Sequence, residues 1–213
     1  MSWTRDEERR MHPVDKPRCR HLPTCSQRLW PRFDRYLQGR GLSSNLARAN
    51  TWFPSRTVDG YDRLVVPGTS SEPGNLYWQA RLIDPDSNAR RWESPHGISR
   101  GDSLCLVWPG SPRVSGRSVV VEGPLDALAA AEEGFLAIGL MGVTPGYDVL
   151  LNAARLLRGT EAMVMSDVAA EAEMCENMMR LVELGIKCKF LSPYPDKDLA
   201  AMTKLRRREA LHV

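Results

Sequence analysis

The chain has 213 residues, 42% of them hydrophobic and 26% charged, with a formal net charge of +3. That is room for one large or two small globular domains, and no apolar run approaches the about 20 residues that a membrane-spanning helix requires. Five scattered cysteines, Cys19, Cys25, Cys105, Cys175 and Cys188, argue against a disulfide framework and for reduced thiols. The opening stretch "MSWTRDEERRMHP" is charged throughout and lacks the apolar core of a signal peptide, so a cytoplasmic protein with no membrane partner is expected.

Charge is unevenly spread. Residues 1–50 hold 11 Lys/Arg against 5 Asp/Glu, a surplus of +6, whereas residues 119–213 hold 10 against 14, a deficit of −4. A basic front and an acidic rear suit a protein that grips a polyanion with one part and a metal with another, although a solvated basic surface would look the same.

Residues 1–28 read as an irregular basic segment rich in Arg and Pro. "WPRFDRYLQGRGLSSNLARAN" then reads as two short helices. The first carries Phe33, Tyr36 and Leu37 at helical spacing and stops at Gly39, and Ser43 or Ser44 is the expected N-cap of the second. From Thr51 to Leu106 the texture is that of strands, "DRLVVPG", "NLYWQARLID", "RRWESP" and "SLCLVW", parted by turn formers. They predict an antiparallel sheet of three or four strands. "PGSPRVSGR", residues 109–117, reads as a hinge.

Beyond it, strands and helices alternate. "SVVVE", "FLAIGL", "AMVMS" and "KCKFLS" are strands. "PLDALAAAEE", "YDVLLNAARLLRG" and "EAEMCENMMRLVELG" are helices closed by Gly134, Gly159 and Gly185. The last helix is expected to bury a stripe of Cys175, Met178, Met179 and Val182. Such alternation implies a parallel sheet with right-handed crossovers. The fold class is therefore α/β, a parallel sheet flanked by helices over residues 114–203, preceded by a small α+β subdomain with an antiparallel sheet over 29–113. Residues 204–213 read as a basic helical tail.

In an open parallel sheet, ligands bind beyond the carboxyl ends of the strands. Glu122 follows the first of these strands, Asp167 the third, and Asp196 and Asp198 the fourth. Acids distant in sequence thus fall on one rim, an oxygen-rich arrangement suited to Mg²⁺ or Mn²⁺. The competing reading makes each acid an N-cap of the helix that follows it.

"VVVEGPLDALAAAEEGFLAIGLMG", "VMSDVAAEAEM" and "SPYPDKDLAAM" together resemble the TOPRIM domain, which topoisomerases, bacterial-type primases and some nucleases share. The resemblance covers residues 117–203. It implies a catalytic Glu122, acting as general acid/base or as organiser of a metal site, and a catalytic Asp167. It implies a metal held by Glu122, Asp167 and Asp198, and support from Gly123 and Asp126. The second acid of the family's Asp-x-Asp is Ala169 here. Glu171 or Glu173 substitutes for it, with Glu171 as the expected ligand, or the domain is a degenerate binder, or the residue was changed to trap an inactive form.

Upstream, "YLQGRGLSSNLA", "DRLVVPG", "YWQARLID" and "RRWESPHG" stand in the order found in the RNA-polymerase domain of bacterial-type primases. The chain resembles a minimal primase core of phage type. The resemblance implies Arg63, Arg81, Arg91 and Lys197 at nucleotide or template, and the guanidinium forks of the three arginines suit phosphates. Trp78 and Trp92 either stack on bases or fill the core. The implied activity is RNA primer synthesis on single-stranded DNA from ribonucleoside triphosphates, alongside a replicative helicase. A non-catalytic nucleic-acid binder and a TOPRIM nuclease are the alternatives. His12, Cys19, His21 and Cys25 match no common zinc spacing, so Zn²⁺ is not expected.

Overall fold

The computed structural model describes residues 21–56, 59–70, 76–84, 88–96, 98, 101, 103–110, 116–142, 144–191 and 198–212. The expectations for His12, Cys19, Asp196, Lys197 and the centre of the hinge lie outside the described residues. No described helix is long and apolar enough to cross a membrane.

A 3-10 turn at Gln27–Leu29 leads into helices α1 (Trp30–Gly39) and α2 (Ser44–Ala49). Ser43 caps α2, its hydroxyl accepting the Leu46 N–H at 3.2 Å. The pair buries Phe33, Leu37, Leu46 and Ala47, which follow the helical spacing of the sequence. Strands β1 (Phe53–Arg56), β2 (Asp62–Ser70), β3 (Leu76–Leu82), β4 (Trp92–Glu93) and β5 (Ser103–Val107) follow. Strand β1 is one more than the sequence led us to expect. It is four residues long and contains Pro54, which weakens any strand signal, and Pro is tolerated because β1 pairs with β2 alone.

The second half contributes β6 (Arg117–Val121), α3 (Pro124–Glu132), β7 (Leu136–Gly139), α4 (Tyr147–Leu157), β8 (Glu161–Met165), α5 (Glu171–Glu183), β9 (Lys187–Leu191) and α6 (Lys204–Leu211). All nine strands form one sheet in the order β4-β3-β2-β5-β7-β6-β8-β9, with β1 beside β2. Strands β7, β6, β8 and β9 are mutually parallel. Strand β5 is the joint, antiparallel to β2 at Thr69–Ser70 and antiparallel to β7 along Cys105–Val107.

Helices cover both faces of the parallel part. Val119, Val121, Ala137, Met163 and Met165 pack with α3 on one side, and Val120, Ile138, Ala162 and Val164 pack with α4 and α5 on the other. Burial on two faces explains why these strands read as unbroken apolar runs. Helix α3 is buried at seven of its nine positions, so it is covered on nearly every side, and its alanines permit that closeness.

Two surfaces differ from their sequence expectation. The stripe Cys175–Met178–Met179–Val182 does not form the buried face of α5. Met174, Asn177 and Leu181 are buried instead, and Met179 and Val182 are 55% and 45% exposed. The sheet and α4 meet α5 along a line rotated from that stripe. The basic C-terminal stretch is a docked helix. Arg207 is buried, donates to the Gly41 carbonyl at 2.7 Å and lies 3.5 Å from Glu132, while Arg208 pairs with Glu133 at 2.9 Å. Helix α6 thereby ties the end of α3 to the turn after α1.

Gly139, at the end of β7, lies against the turn that follows Glu122. A Cβ there would sit 3.0 Å from the Gly123 carbonyl oxygen and 3.1 Å from its carbon. These are backbone atoms that cannot rotate away. Gly139→Ala is expected to cost about 1–3 kcal/mol through overpacking, measured by urea denaturation.

Candidate functional site

Strand β6 is where the chain changes direction. Helix α3 carries it to β7 on one side, and α4 then returns it to β8 on the other. In doubly wound sheets a ligand crevice opens at such a switch point, beyond the carboxyl ends of the strands. Glu122 follows β6, Asp167 lies two residues past β8, and Asp198 follows β9 after a longer connection. Because β6, β8 and β9 are neighbours, their ends stand in a row. Val121, Glu122, Asp126, Met165, Ser166, Asp167 and Leu199 line one cleft there.

The capping alternative separates the acids. Asp198 does cap, its Oδ1 accepting the Ala201 N–H at 2.7 Å. Asp167 precedes a 3-10 turn, Val168–Ala170, but its side chain makes no capping bond. The residue that caps α3 is Gly123, not Glu122. The side chains of Glu122 and Asp167 form no hydrogen bond or ion pair with a described residue. Asp126, in the first turn of α3, accepts the Ala200 N–H at 2.8 Å. That bond fastens α3 to the segment bearing Asp198.

The acids act on one another. Burial raises the Glu122 carboxyl above its ordinary range, and the charges of Asp167 and then Glu173 add to this. Burial raises Asp167 too, followed by the charge of Asp198. Asp126, partly buried, is pushed up to about 7 by burial and then by Asp198, while the Ala200 N–H pulls the other way. Glu171, expected as a ligand, is exposed at the start of α5 and is not among the groups acting on Glu122. Glu173, two residues further along α5 and also exposed, is among the groups whose charge acts on Glu122. Ala169 is exposed and lies outside the cleft lining.

Among the described residues, no three Asp, Glu, His or Cys side chains are already drawn into a cage for a metal ion. The donor chemistry nevertheless fits Mg²⁺ or Mn²⁺. The cleft lining offers three carboxylates, from Glu122, Asp126 and Asp167, and neither histidine nor cysteine. Carboxylates that raise one another's pKa are relieved by a cation. Mg²⁺ itself is commonly held by one or two carboxylates with waters and substrate phosphates, not by a closed protein shell. Of the four residues weighed for zinc, Cys25 is an exposed free thiol.

The arginines divide. Arg63 is fully buried and bonded to Asp59, to Glu93 at 3.2 Å and to the carbonyls of Ala80 and Arg90. It braces β2 against β3 and β4 and has no face left for a phosphate, which corrects its expected role. Arg81 donates to the Tyr36 hydroxyl at 3.2 Å and lies 5.3 Å from the Trp92 ring centre. Burial lowers its pKa, Tyr36 opposes this, and the nearby charges of Arg91 and Arg40 lower it further. Arg40 in turn sits 5.3 Å from the Tyr36 ring, and Arg91 is exposed. Three arginines and two aromatic rings thus gather with no carboxylate among the groups acting on Arg81. Tyr36 and Arg40 escaped the sequence reading, although both lie in "YLQGRG" at i, i+4. Trp78 is 8% exposed and packs with Val65 and Ala80, so it fills core and offers no face to a base. Trp92 is partly buried.

This architecture, a doubly wound parallel sheet with an acidic cleft joined through one strand to an antiparallel sheet, is the catalytic-core fold of bacterial DNA primases. The Aquifex aeolicus primase, solved with its zinc-binding and RNA polymerase domains, matches with a TM-score of 0.64 at 15% identity, over 84% of this chain and 54% of that one. The E. coli primase catalytic core matches at 0.61 and 15% identity, over 87% and 72%. A DnaG primase catalytic domain bound to single-stranded DNA matches at 0.60 and 15% identity, over 88% and 71%. The chain therefore spans about half of the first of these structures. No family model matches the sequence, and no curated protein matches it.

The raised Asp126 makes stability depend on pH. The folded protein holds that proton more tightly than the unfolded chain, whose Asp titrates near about 4. The stabilisation is complete below that value and is lost as pH rises towards about 7. Asp126→Asn keeps an acceptor for Ala200. In metal-free buffer at pH 8 it is expected to melt about 3 °C or more above the parent, and the gap should close on acidification, as followed by thermal denaturation.

Proposed function

We propose that this chain is the core of a primase-like nucleotidyltransferase, which joins ribonucleotides into a short RNA on single-stranded DNA. The observation that carries this reading is the shared cleft of Glu122, Asp126 and Asp167 with Asp198 within electrostatic reach, at the switch point of a primase-core fold. Glu122 and Asp167 would hold Mg²⁺ or Mn²⁺, with the oxygen of Asp198 not used in capping as a further donor. When bound, the cation offsets triphosphate charge and stabilises the charge that develops in phosphoryl transfer. Glu122, with a raised pKa and no hydrogen bond, is suited to take the proton from the attacking hydroxyl. Asp126 keeps the helix and the Asp198 segment in register. Arg40, Arg81 and Arg91, with Tyr36 and Trp92, would hold the strand through phosphates and ring faces.

Ala169 favours a second reading, a non-catalytic binder of single-stranded DNA. The two differ in their need for metal. Template-dependent primer synthesis with labelled ribonucleotides should require Mg²⁺ or Mn²⁺ and fall at least about a hundredfold in Asp167→Asn. Salt-sensitive DNA binding with no synthesis by the parent would favour the binder, and cleavage of labelled DNA without nucleotides would favour a nuclease.

Arg91→Ala should weaken single-stranded DNA binding for all sequences alike. Its slope of log affinity against log salt should be shallower by about 0.7, the contribution of one phosphate contact, as followed by fluorescence anisotropy across a salt series.

A further inference from the structure

Ser166 stands between the end of β8 and Asp167, and neither the resemblance nor the fold gives it a task. It is 7% exposed and lines the cleft with Glu122, Asp126 and Asp167. Its Oγ is fully covered and has no hydrogen-bond partner. A buried hydroxyl in that condition is unfavourable, because it has given up water and gained nothing. An apolar residue of similar size would serve the core better if packing were the sole demand. The hydroxyl belongs to the residue next to Asp167, whose carboxylate oxygens, like those of Glu122, are uncommitted among the described residues.

We propose that Ser166 Oγ is a neutral oxygen donor to the divalent cation held by Glu122 and Asp167. This rests on the metal-dependent reading above and extends it to a residue that reading does not use. A neutral donor suits this cleft. The acids already raise one another's pKa, so a further carboxylate would add repulsion, whereas a hydroxyl oxygen adds a ligand without charge. It also supplies a donor where Ala169 has none, and from inside the cleft, whereas Ala169 is exposed. Hydroxyl ligation of hard cations is ordinary chemistry, as in phosphate-binding loops that place a Ser or Thr on Mg²⁺.

The test is Mn²⁺ binding to the full chain, followed by electron paramagnetic resonance of free Mn²⁺, with thermal denaturation in metal-free buffer as a companion. Ser166→Ala should bind Mn²⁺ about tenfold more weakly while its metal-free melting temperature stays equal or rises. Ser166→Cys should recover binding for Cd²⁺ in preference to Mn²⁺, since a thiolate is the softer ligand. Parent-like Mn²⁺ affinity in Ser166→Ala would overturn the assignment and leave the metal-dependent reading standing. Failure of the parent itself to bind Mn²⁺ would overturn both. A metal-free melting temperature that falls sharply in Ser166→Ala would show instead a structural hydroxyl, and would also overturn the assignment.

Discussion

Carboxylates repel, and here the sheet gives them no way to part. Glu122, Asp167 and Asp198 follow three adjacent parallel strands, and Asp126 is held to the last of these segments by the Ala200 N–H. Glu122, Asp126 and Asp167 all have pKa values displaced upward, first by burial and then by the neighbouring negative charges. The backbone ladder that fixes the strands bears the cost of that confinement. A site under such tension is poised for a cation or for protons, and its chemistry follows from which of these it holds.

The remainder of the molecule keeps that edge rigid. Helix α3, buried nearly throughout, carries Asp126 at one end and ends in Glu132 and Glu133 at the other. Arg207 and Arg208 of α6 engage those two acids, and Arg207 also reaches the turn after α1. Strand β5 links the antiparallel and parallel parts through hydrogen bonds on both its edges. The acidic cleft and the arginine–aromatic cluster are therefore parts of one framework built on one continuous sheet.

The two charged regions work by opposite means. Around Arg81, like positive charges gather with aromatic rings and a tyrosine hydroxyl. Around Glu122, like negative charges gather with a serine and apolar walls. Each cluster is electrostatically incomplete. Under the function proposed above, a polyanionic strand would complement the first and a divalent cation the second.

Much of this was legible in the residues themselves. Short apolar runs and period-3.6 patterning, together with Gly134, Gly159 and Gly185, marked every parallel strand and its crossover helix, and acids at strand ends marked the rim. These are local signals, set by backbone geometry within a few residues. The fate of Arg63 was not legible, because burial against Asp59 and Glu93 depends on how β2, β3 and β4 pair. Nor was the reach of the Glu173 charge to Glu122, which depends on how α5 is set against the end of β6. Likewise Tyr36 and Arg40 joined Arg81 only through contact between α1 and β3. The stripe on α5 failed for the same reason, since a helix with several apolar lines buries the one its neighbours reach. Sequence pattern determined which elements form and in what order, because propensity and periodicity act along the chain. Tertiary structure decided which charged side chains became struts and which stayed uncommitted, because burial and pairing are settled only when distant segments meet.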